Sequence, residues 1–215
     1  MDIAVFDLDG TITRHDTLVH FLVGFAARHP GRALGLWRSP VALGRFLAGT
    51  GDRGELKASL IRYLLGGMDR ASIGRWADEF CSETMPGLLN PGAGQAIESH
   101  RAQGHRLVLL SASVDLYVPR IGEKLGFHSV LCTELTWRNE HLESRLASPN
   151  RRGEEKLACL RHLRALHPGA RITAYGNTAS DLPHLMEADT GCLVNAPAAL
   201  RAKARALNLA YQDWR

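Results

Sequence analysis

The chain opens on a short apolar run, Ile3-Ala4-Val5-Phe6, that breaks at once into Asp7-Leu8-Asp9-Gly10-Thr11-Ile12-Thr13. Four apolar residues ended by polar turn formers describe a buried strand. Its polar end then lies at the carboxyl edge of a sheet, where open α/β folds bind ligands. Asp7 and Asp9 are two residues apart, so on extended backbone both carboxylates point to one face. If the chain turns at Gly10, the two acids can share a cation or divide the work of nucleophile and acid. A plain polar turn after a strand reads the same way on this stretch alone, and the remainder of the chain has to decide.

Beyond the first strand the chain reads as helical to about residue 88. Leu18, Phe21, Leu22 and Phe25 fall at helical spacing, Pro30-Gly31 and Pro40 interrupt, and Leu56, Leu60, Ile61, Leu64 and Leu65 mark an amphipathic helix closed by Gly66-Gly67. Ile73, Trp76 and Phe80 mark another, and their large side chains read as core. Asn90-Pro91 has the form of an N-cap with proline at the first helical position, opening a helix to about Gln103. The pattern then alternates. Arg106–Leu110 is a strand ended by Ser111-Ala112-Ser113, and Val118, Ile121 and Leu125 mark a helix. Ser129–Thr133 is a strand, Thr136–Ser148 a hairpin turning at Arg138-Asn139-Glu140, and Glu154–Leu166 a helix. Arg171–Gly176 is a strand running into Asn177-Thr178-Ala179-Ser180-Asp181, with Ser180 as a candidate helix cap, and Cys192–Val194 is the last strand. Strands alternating with helices predict an α/β fold with a mostly parallel, doubly wound sheet. The expected division is a core of residues 1–13 and 89–215 and a helical cap of residues 14–88.

A chain of 215 residues with 45% hydrophobic and 22% charged residues is an ordinary globular composition. It holds no uncharged apolar run long enough to span a membrane. The first strand begins too early to leave room for a secretory signal, so a cytoplasmic protein is expected. Cys81, Cys132, Cys159 and Cys192 are scattered without a CxxC pair and read as buried free thiols. The net charge of +4 is carried by residues 14–53, where Arg14, Arg28, Arg32, Arg38, Arg45 and Arg53 face only Asp16 and Asp52. That bias suggests an anionic partner such as a phosphate ester or an acidic lipid surface, unless it is simply a solvated helix surface. Nucleic acid is not expected: there is no glycine-rich phosphate loop, zinc spacing or aromatic RNA-binding signature.

Three strand ends bring polar groups to one edge: Asp7 and Asp9, Ser111 and Ser113, and Asn177 and Asp181, with Lys156 near the start of a helix able to join them. Two carboxylates and a third oxygen ligand suit a hard cation such as Mg²⁺. A hydroxyl and an ammonium suit phosphate oxygens. Together these argue for phosphoryl transfer.

With these residues in view the chain resembles the haloacid dehalogenase superfamily, in its phosphoserine-phosphatase-like branch. That family carries DxDGT after the first strand, Ser or Thr after the second, a downstream Lys and a G-D-x-x-x-D loop. Here they stand as Asp7-Leu8-Asp9-Gly10-Thr11, Ser111, Lys156 and Gly176-Asn177-Thr178-Ala179-Ser180-Asp181. The resemblance implies a Rossmann-like core and a Mg²⁺-dependent phosphomonoester hydrolase. In it Asp7 forms an aspartyl-phosphate and Asp9 acts as acid and base. Thr11, Ser111, Ala112 and Lys156 bind the phosphoryl group. The metal is held by Asp7, the Asp9 backbone carbonyl and Asn177, with Asp181 as a further ligand, directly or through water. Asn177 departs from the family pattern, which has Asp there. One negative charge is lost, which implies weaker metal binding or, in the extreme, a ligand-binding protein without turnover.

The leaving group is less constrained. Asp16 lies nine residues after Asp7, where phosphoserine phosphatases carry a Glu that reads the substrate amine. An acid there suits an amino-alcohol phosphate such as phosphoserine or histidinol phosphate, but Asp16 reads equally as a helix cap or an ion-pair partner of Arg14. The apolar, arginine-bearing stretch from Phe21 through Leu47 is also similar in character to the cap of phosphatidylglycerophosphatase C, which would place a membrane surface beside the site. A phosphomutase with the same nucleophile is a further alternative. Oligomeric state is not legible.

Overall fold

The computed structural model describes residues 1–33 and 53–215. The expected break at Pro40, Arg38 and Arg45 of the basic stretch, and most of the Ala33–Leu47 segment compared with a lipid phosphatase lie outside the described residues. Among the described residues eight strands form a six-stranded sheet and a separate hairpin. In chain order the sheet strands are β1 (Ile3–Phe6), β2 (Arg106–Val114), β3 (Ser129–Thr133), β6 (Ile172–Gly176), β7 (Thr190–Val194) and β8 (Ala210–Gln212). They lie side by side as β3-β2-β1-β6-β7-β8, and every pair is parallel. The hairpin pairs β4 (Leu135–Arg138) with β5 (His141–Leu146) and turns at Asn139 and Glu140, both in the left-handed region at φ 47° and 63°.

Both faces of the sheet are covered, and this is why its strands read as unbroken apolar runs. Ile3, Val5, Val108, Leu110, Ile172 and Ala174 point to one side, against helices α8 (Glu154–Leu166), α9 (Leu182–Glu187) and α10 (Ala198–Ala206) through Leu160, Leu163, Leu185 and Ala204. Ala4, Phe6, Leu107, Leu109 and Tyr175 point to the other side. There the core continues into the helices between β1 and β2: α1 (Thr17–Arg28), α2 (Pro30–Ala33), α3 (Arg53–Leu65), α4 (Arg70–Glu79), a π-type turn at Phe80–Thr84 and α5 (Met85–Leu88). Phe21 stacks on Tyr117 at 4.6 Å, and Phe80 meets both rings edge-on. The expected core residues Leu60, Ile61, Leu64, Leu65, Ile73, Trp76 and Phe80 are buried. The two chain crossings into this helical segment are paired with each other. The Arg14 amide donates to the Leu88 carbonyl and the Asn90 amide to the Ile12 carbonyl, each at 2.8 Å.

Helix α6 (Pro91–Ala102) begins where expected, but Asn90 does not cap it with its side chain. The carboxamide turns away and donates to the Thr11 carbonyl at 2.7 Å. The strand expected to end at Leu110 continues through Ser111-Ala112-Ser113 to Val114, because Val114 pairs again with Thr133 after a register shift. Helix α7 (Val118–Lys124) comes next. Ser180 does not cap the helix after β6. Thr178 does, in a capping box with Asp181. Helix α10 and strand β8 come after the last expected strand. All four cysteines are free and buried.

Asp115, just after β2, carries a testable cost. Its Oδ1 is buried without a partner. Burial pushes its pKa up to about 6. Because this folded value exceeds the unfolded one, its contribution is fully present below pH 4 and is lost as pH rises through about 6. Asp115→Asn is therefore expected to raise stability at pH 7.5 by about 1–2 kcal/mol and to change it little at pH 4.5. Urea unfolding of both proteins at the two pH values checks this.

Candidate active site

The register of the sheet builds the site. Phe6 lies opposite Leu109 on one side and Tyr175 on the other, so Asp7, Ser111 and Asn177 all emerge at one level of the carboxyl edge. The Asp7 amide completes the ladder by donating to the Tyr175 carbonyl at 3.0 Å. Its side chain is only 6% exposed, with Oδ2 accepting from the Thr11 hydroxyl at 2.9 Å and Oδ1 from Lys156 Nζ at 2.6 Å. Lys156, in the first turn of α8, donates equally to Asp181 Oδ1 at 2.7 Å. This is a buried Asp–Lys–Asp triad with one negative charge in excess. Burial pushes the Asp7 pKa up to about 7, with Asp181 raising it further and Lys156 opposing. Asp181 is held below the usual carboxylate range, because the Lys156 ammonium and hydrogen bonds outweigh its own burial. The two carboxylates likewise hold Lys156 above the ordinary lysine value despite its burial.

Asp9 is secured differently. Oδ1 accepts from the Thr17 amide at 2.6 Å and the Thr17 hydroxyl at 2.7 Å, and Oδ2 from the Ser113 hydroxyl at 2.6 Å. The Thr17 hydroxyl in turn meets Tyr117 Oη at 3.0 Å. The carboxylate is thus aimed by one helix start and one strand end. Removing the strand-end donor with Ser113→Ala is expected to lower kcat about tenfold and leave KM within about twofold, since an aimed acid or base acts mainly in the transition state. Steady-state kinetics on an aryl phosphate measures both.

Asn177 opens the loop after β6. Its Oδ1 is buried and accepts no hydrogen bond, while its amide nitrogen rests against Gly10. Gly10 sits at φ +82°, and a Cβ there would come within 1.9 Å of Asn177 Nδ2, so no other residue fits the turn. Asp181, expected as an additional metal ligand, has both oxygens committed. Oδ1 accepts from Lys156, and Oδ2 accepts the Asn177 amide, the Thr178 amide and the Thr178 hydroxyl. Its geometry is that of a residue that shapes the loop and holds Lys156. Among the described residues no cluster of three His, Cys, Asp or Glu side chains is placed to hold a metal. A hard cation would be held by Asp7, whose two oxygens are hydrogen-bonded just as those of Asp181 are, together with the Asp9 carbonyl and the unpartnered Asn177 Oδ1. The unpartnered buried oxygen and the excess negative charge of the triad are both features a divalent cation would satisfy.

These groups line a cavity of about 350 Å³. Of the residues singled out in the sequence, Asp7, Asp9, Asp16, Ala112, Lys156, Asn177 and Asp181 face it. Thr11 and Ser111 do not line it. Both are fully buried, Thr11 bound to Asp7 and Ser111 Oγ accepting the Ser113 amide at 3.0 Å. Asp16 proves to be the N-cap of α1, its Oδ1 accepting the Leu18 and Val19 amides at 2.9 and 3.2 Å. Among the described residues no ion pair joins it to Arg14. Ser113, singled out at the end of the second strand, also lines the cavity, whereas Thr17, Lys57 and Asn150 are site residues the sequence did not disclose. Lys57, from α3, is 8% exposed and donates to the Ala112 carbonyl and to Asn150 Oδ1. Only the approach of α3 to the end of β2 brings it there, and a lysine on an apolar helix carries no such signal by itself.

The chain is similar to known proteins over most of its length. The chain is 33% identical over 189 residues to protein CicA of Caulobacter vibrioides, covering 87% of this chain and 83% of that one. It is 26% identical to phosphoserine phosphatase SerB1 of Mycobacterium tuberculosis over 99% of this chain and 70% of the other. Its fold is that of a Bordetella pertussis protein of unknown function (TM-score 0.84, 19% identity, 100% and 99% coverage). A substrate-bound phosphoserine phosphatase also shares the fold (TM-score 0.67, 16% identity, 99% and 93% coverage). The model of the haloacid dehalogenase-like hydrolases matches residues 4–186. The Asp7–Thr11 turn, the parallel sheet that carries it and this match together place the chain in the haloacid dehalogenase-like hydrolase family.

Proposed function

We propose that this hydrolase is a Mg²⁺-dependent phosphomonoesterase that works through an aspartyl-phosphate on Asp7. The observation that carries the reading is the Asp7 carboxylate at the end of β1, fixed by Lys156 and Thr11 beside the unpartnered Asn177 oxygen. Mg²⁺ held by Asp7, the Asp9 carbonyl and Asn177 would offset the charge on Asp7 and on the phosphoryl oxygens. Asp7 attacks phosphorus and the bond to the leaving oxygen breaks, with Asp9 giving that oxygen a proton. Water then attacks phosphorus, Asp9 takes its proton, and the bond to Asp7 breaks. Lys156 has used two of its three N–H donors on Asp7 and Asp181. The third is available to a phosphoryl oxygen, together with Ala112 of β2, which faces the cavity while Ser111 lies buried behind it.

The substrate is a small ester that enters beneath a cap formed by the described helices between β1 and β2, within residues 14–33 and 53–88. Asp16 spends an oxygen on helix capping, which weakens its case as an amine reader. The cap contributes Lys57 instead, a buried ammonium hydrogen-bonded to neutral acceptors. This favours a leaving group that carries an anion, as phosphoserine does, over histidinol phosphate. No helix among the described residues is long and apolar enough to cross a membrane.

The test is phosphate release from p-nitrophenyl phosphate, phosphoserine, histidinol phosphate and phosphatidylglycerophosphate, with and without Mg²⁺. Mg²⁺-dependent release, greater from phosphoserine than from histidinol phosphate, is expected. Folded protein that releases phosphate from none of them would overturn the hydrolase reading and favour a binding protein with a weakened site at Asn177. Preference for the lipid would replace the small-metabolite reading.

A further inference from the structure

The turn that carries Asp7 and Asp9 is gripped from behind by a residue far along the chain. Asn195, just after β7, donates from Nδ2 to the Gly10 carbonyl at 3.3 Å. Its Oδ1 accepts the Trp214 amide at 2.7 Å, and its own amide donates to the Gln212 carbonyl at 3.1 Å. The Trp214 carbonyl then accepts the Gly92 amide at 3.0 Å, and the Trp214 ring is buried in the core beside Tyr175 and Phe6. One carboxamide therefore joins the nucleophile turn to the last strand and the Trp214 segment beyond it. Asn195 adopts φ +53°, a conformation that Asn and Gly tolerate best among the residues.

Gly10 is thus held on two sides. The Asn177 carboxamide packs on its Cα, and Asn195 holds its carbonyl. The Asp9 carbonyl belongs to the peptide that enters Gly10, and the Asn177 carboxamide packs on Gly10, so a shift of Gly10 moves one oxygen relative to the other. We infer that Asn195 is a positioning residue that sets the spacing of the cation-holding oxygens by clamping Gly10 against Asn177. This rests on the proposed Mg²⁺ site and adds to it a determinant outside the family's sequence signature.

Two variants separate positioning from scaffolding. Asn195→Gly keeps the backbone conformation and removes both side-chain bonds. Asn195→Asp keeps an acceptor for the Trp214 amide and removes the donor to Gly10. Mg²⁺ binding to the full-length protein is measured by titration calorimetry without substrate, alongside thermal unfolding. Both variants are expected to bind Mg²⁺ about fivefold more weakly, the size of one lost hydrogen bond. Asn195→Asp should do so with its melting temperature nearly unchanged, and in spite of an added negative charge that by itself would tighten cation binding. Wild-type affinity in both variants would overturn the inference alone. Absence of Mg²⁺ binding in the wild type would overturn the metal site and the inference with it.

Discussion

Asp7→Asn is expected to reduce phosphate release by at least about 10³-fold while leaving the protein as stable as wild type or more so. The activity loss comes from chemistry: a carboxamide cannot supply the oxygen nucleophile or a charged oxygen for a cation. The stability result comes from the triad. Asp7 is a buried carboxylate whose pKa burial has pushed up to about 7, so its ionised form is costly in the folded protein. Asn fills the same space, can still accept from Lys156, and leaves Lys156 paired with Asp181 in a neutral couple. Sites that hold like charges together for catalysis lie off the stability optimum, and removing one charge relaxes them. Thermal unfolding without Mg²⁺ and a phosphate-release assay with Mg²⁺ are the two measurements. Activity above about a tenth of wild type would remove Asp7 from the role of nucleophile.

Lys156→Met should be the more damaging change. It leaves the buried Asp7 and Asp181 carboxylates without the ammonium they share. Breaking a buried pair in this way costs about 3–5 kcal/mol. Turnover should fall at least about 10²-fold if Lys156 meets the phosphoryl oxygens as proposed, because its charge is lost. The two effects can be separated. In Lys156→Met/Asp7→Asn one of the stranded charges is gone, so the double variant should be more stable than Lys156→Met alone, although its turnover should be lower still. Urea unfolding of the three proteins at one pH decides this. Additive losses would mean that Lys156 supports the fold by packing and not by charge.

The sequence carried the sheet and most of the site because both are local. Ile3–Phe6 reads as a buried strand since four apolar residues in a row have few other uses, and the alternation from Arg106 onward repeats that signal with helices between. The candidate nucleophile motif is a tight turn whose glycine is required by its φ of +82° and its packing on Asn177, so Asp7, Asp9, Gly10 and Thr11 stand within five positions of each other. Strand β8 and helix α10 escaped notice for the converse reason. Ala210–Gln212 is three residues at a sheet edge, too short to show a period, and the Ala- and Arg-rich α10 buries only Ala204, so neither carries the large apolar side chains that mark a core element.

Side-chain direction was the other blind spot. The backbone positions of Asn90 and Asp16 were legible as helix starts, yet Asn90 spends its carboxamide on the Thr11 carbonyl while Asp16 does cap its helix. Both residue types favour that position, and only the groups across from them decide which bond forms. By itself, then, the sequence determined the order of elements, the parallel sheet and the chemical inventory at its carboxyl edge. The tertiary structure alone decided which inventory members meet. It put Lys156 between Asp7 and Asp181, carried Lys57 from a helix to the end of β2, and brought Asn195 and Trp214 behind Gly10. Those contacts join residues that can be more than a hundred positions apart, and no spacing in a single chain encodes the register of strands that creates them.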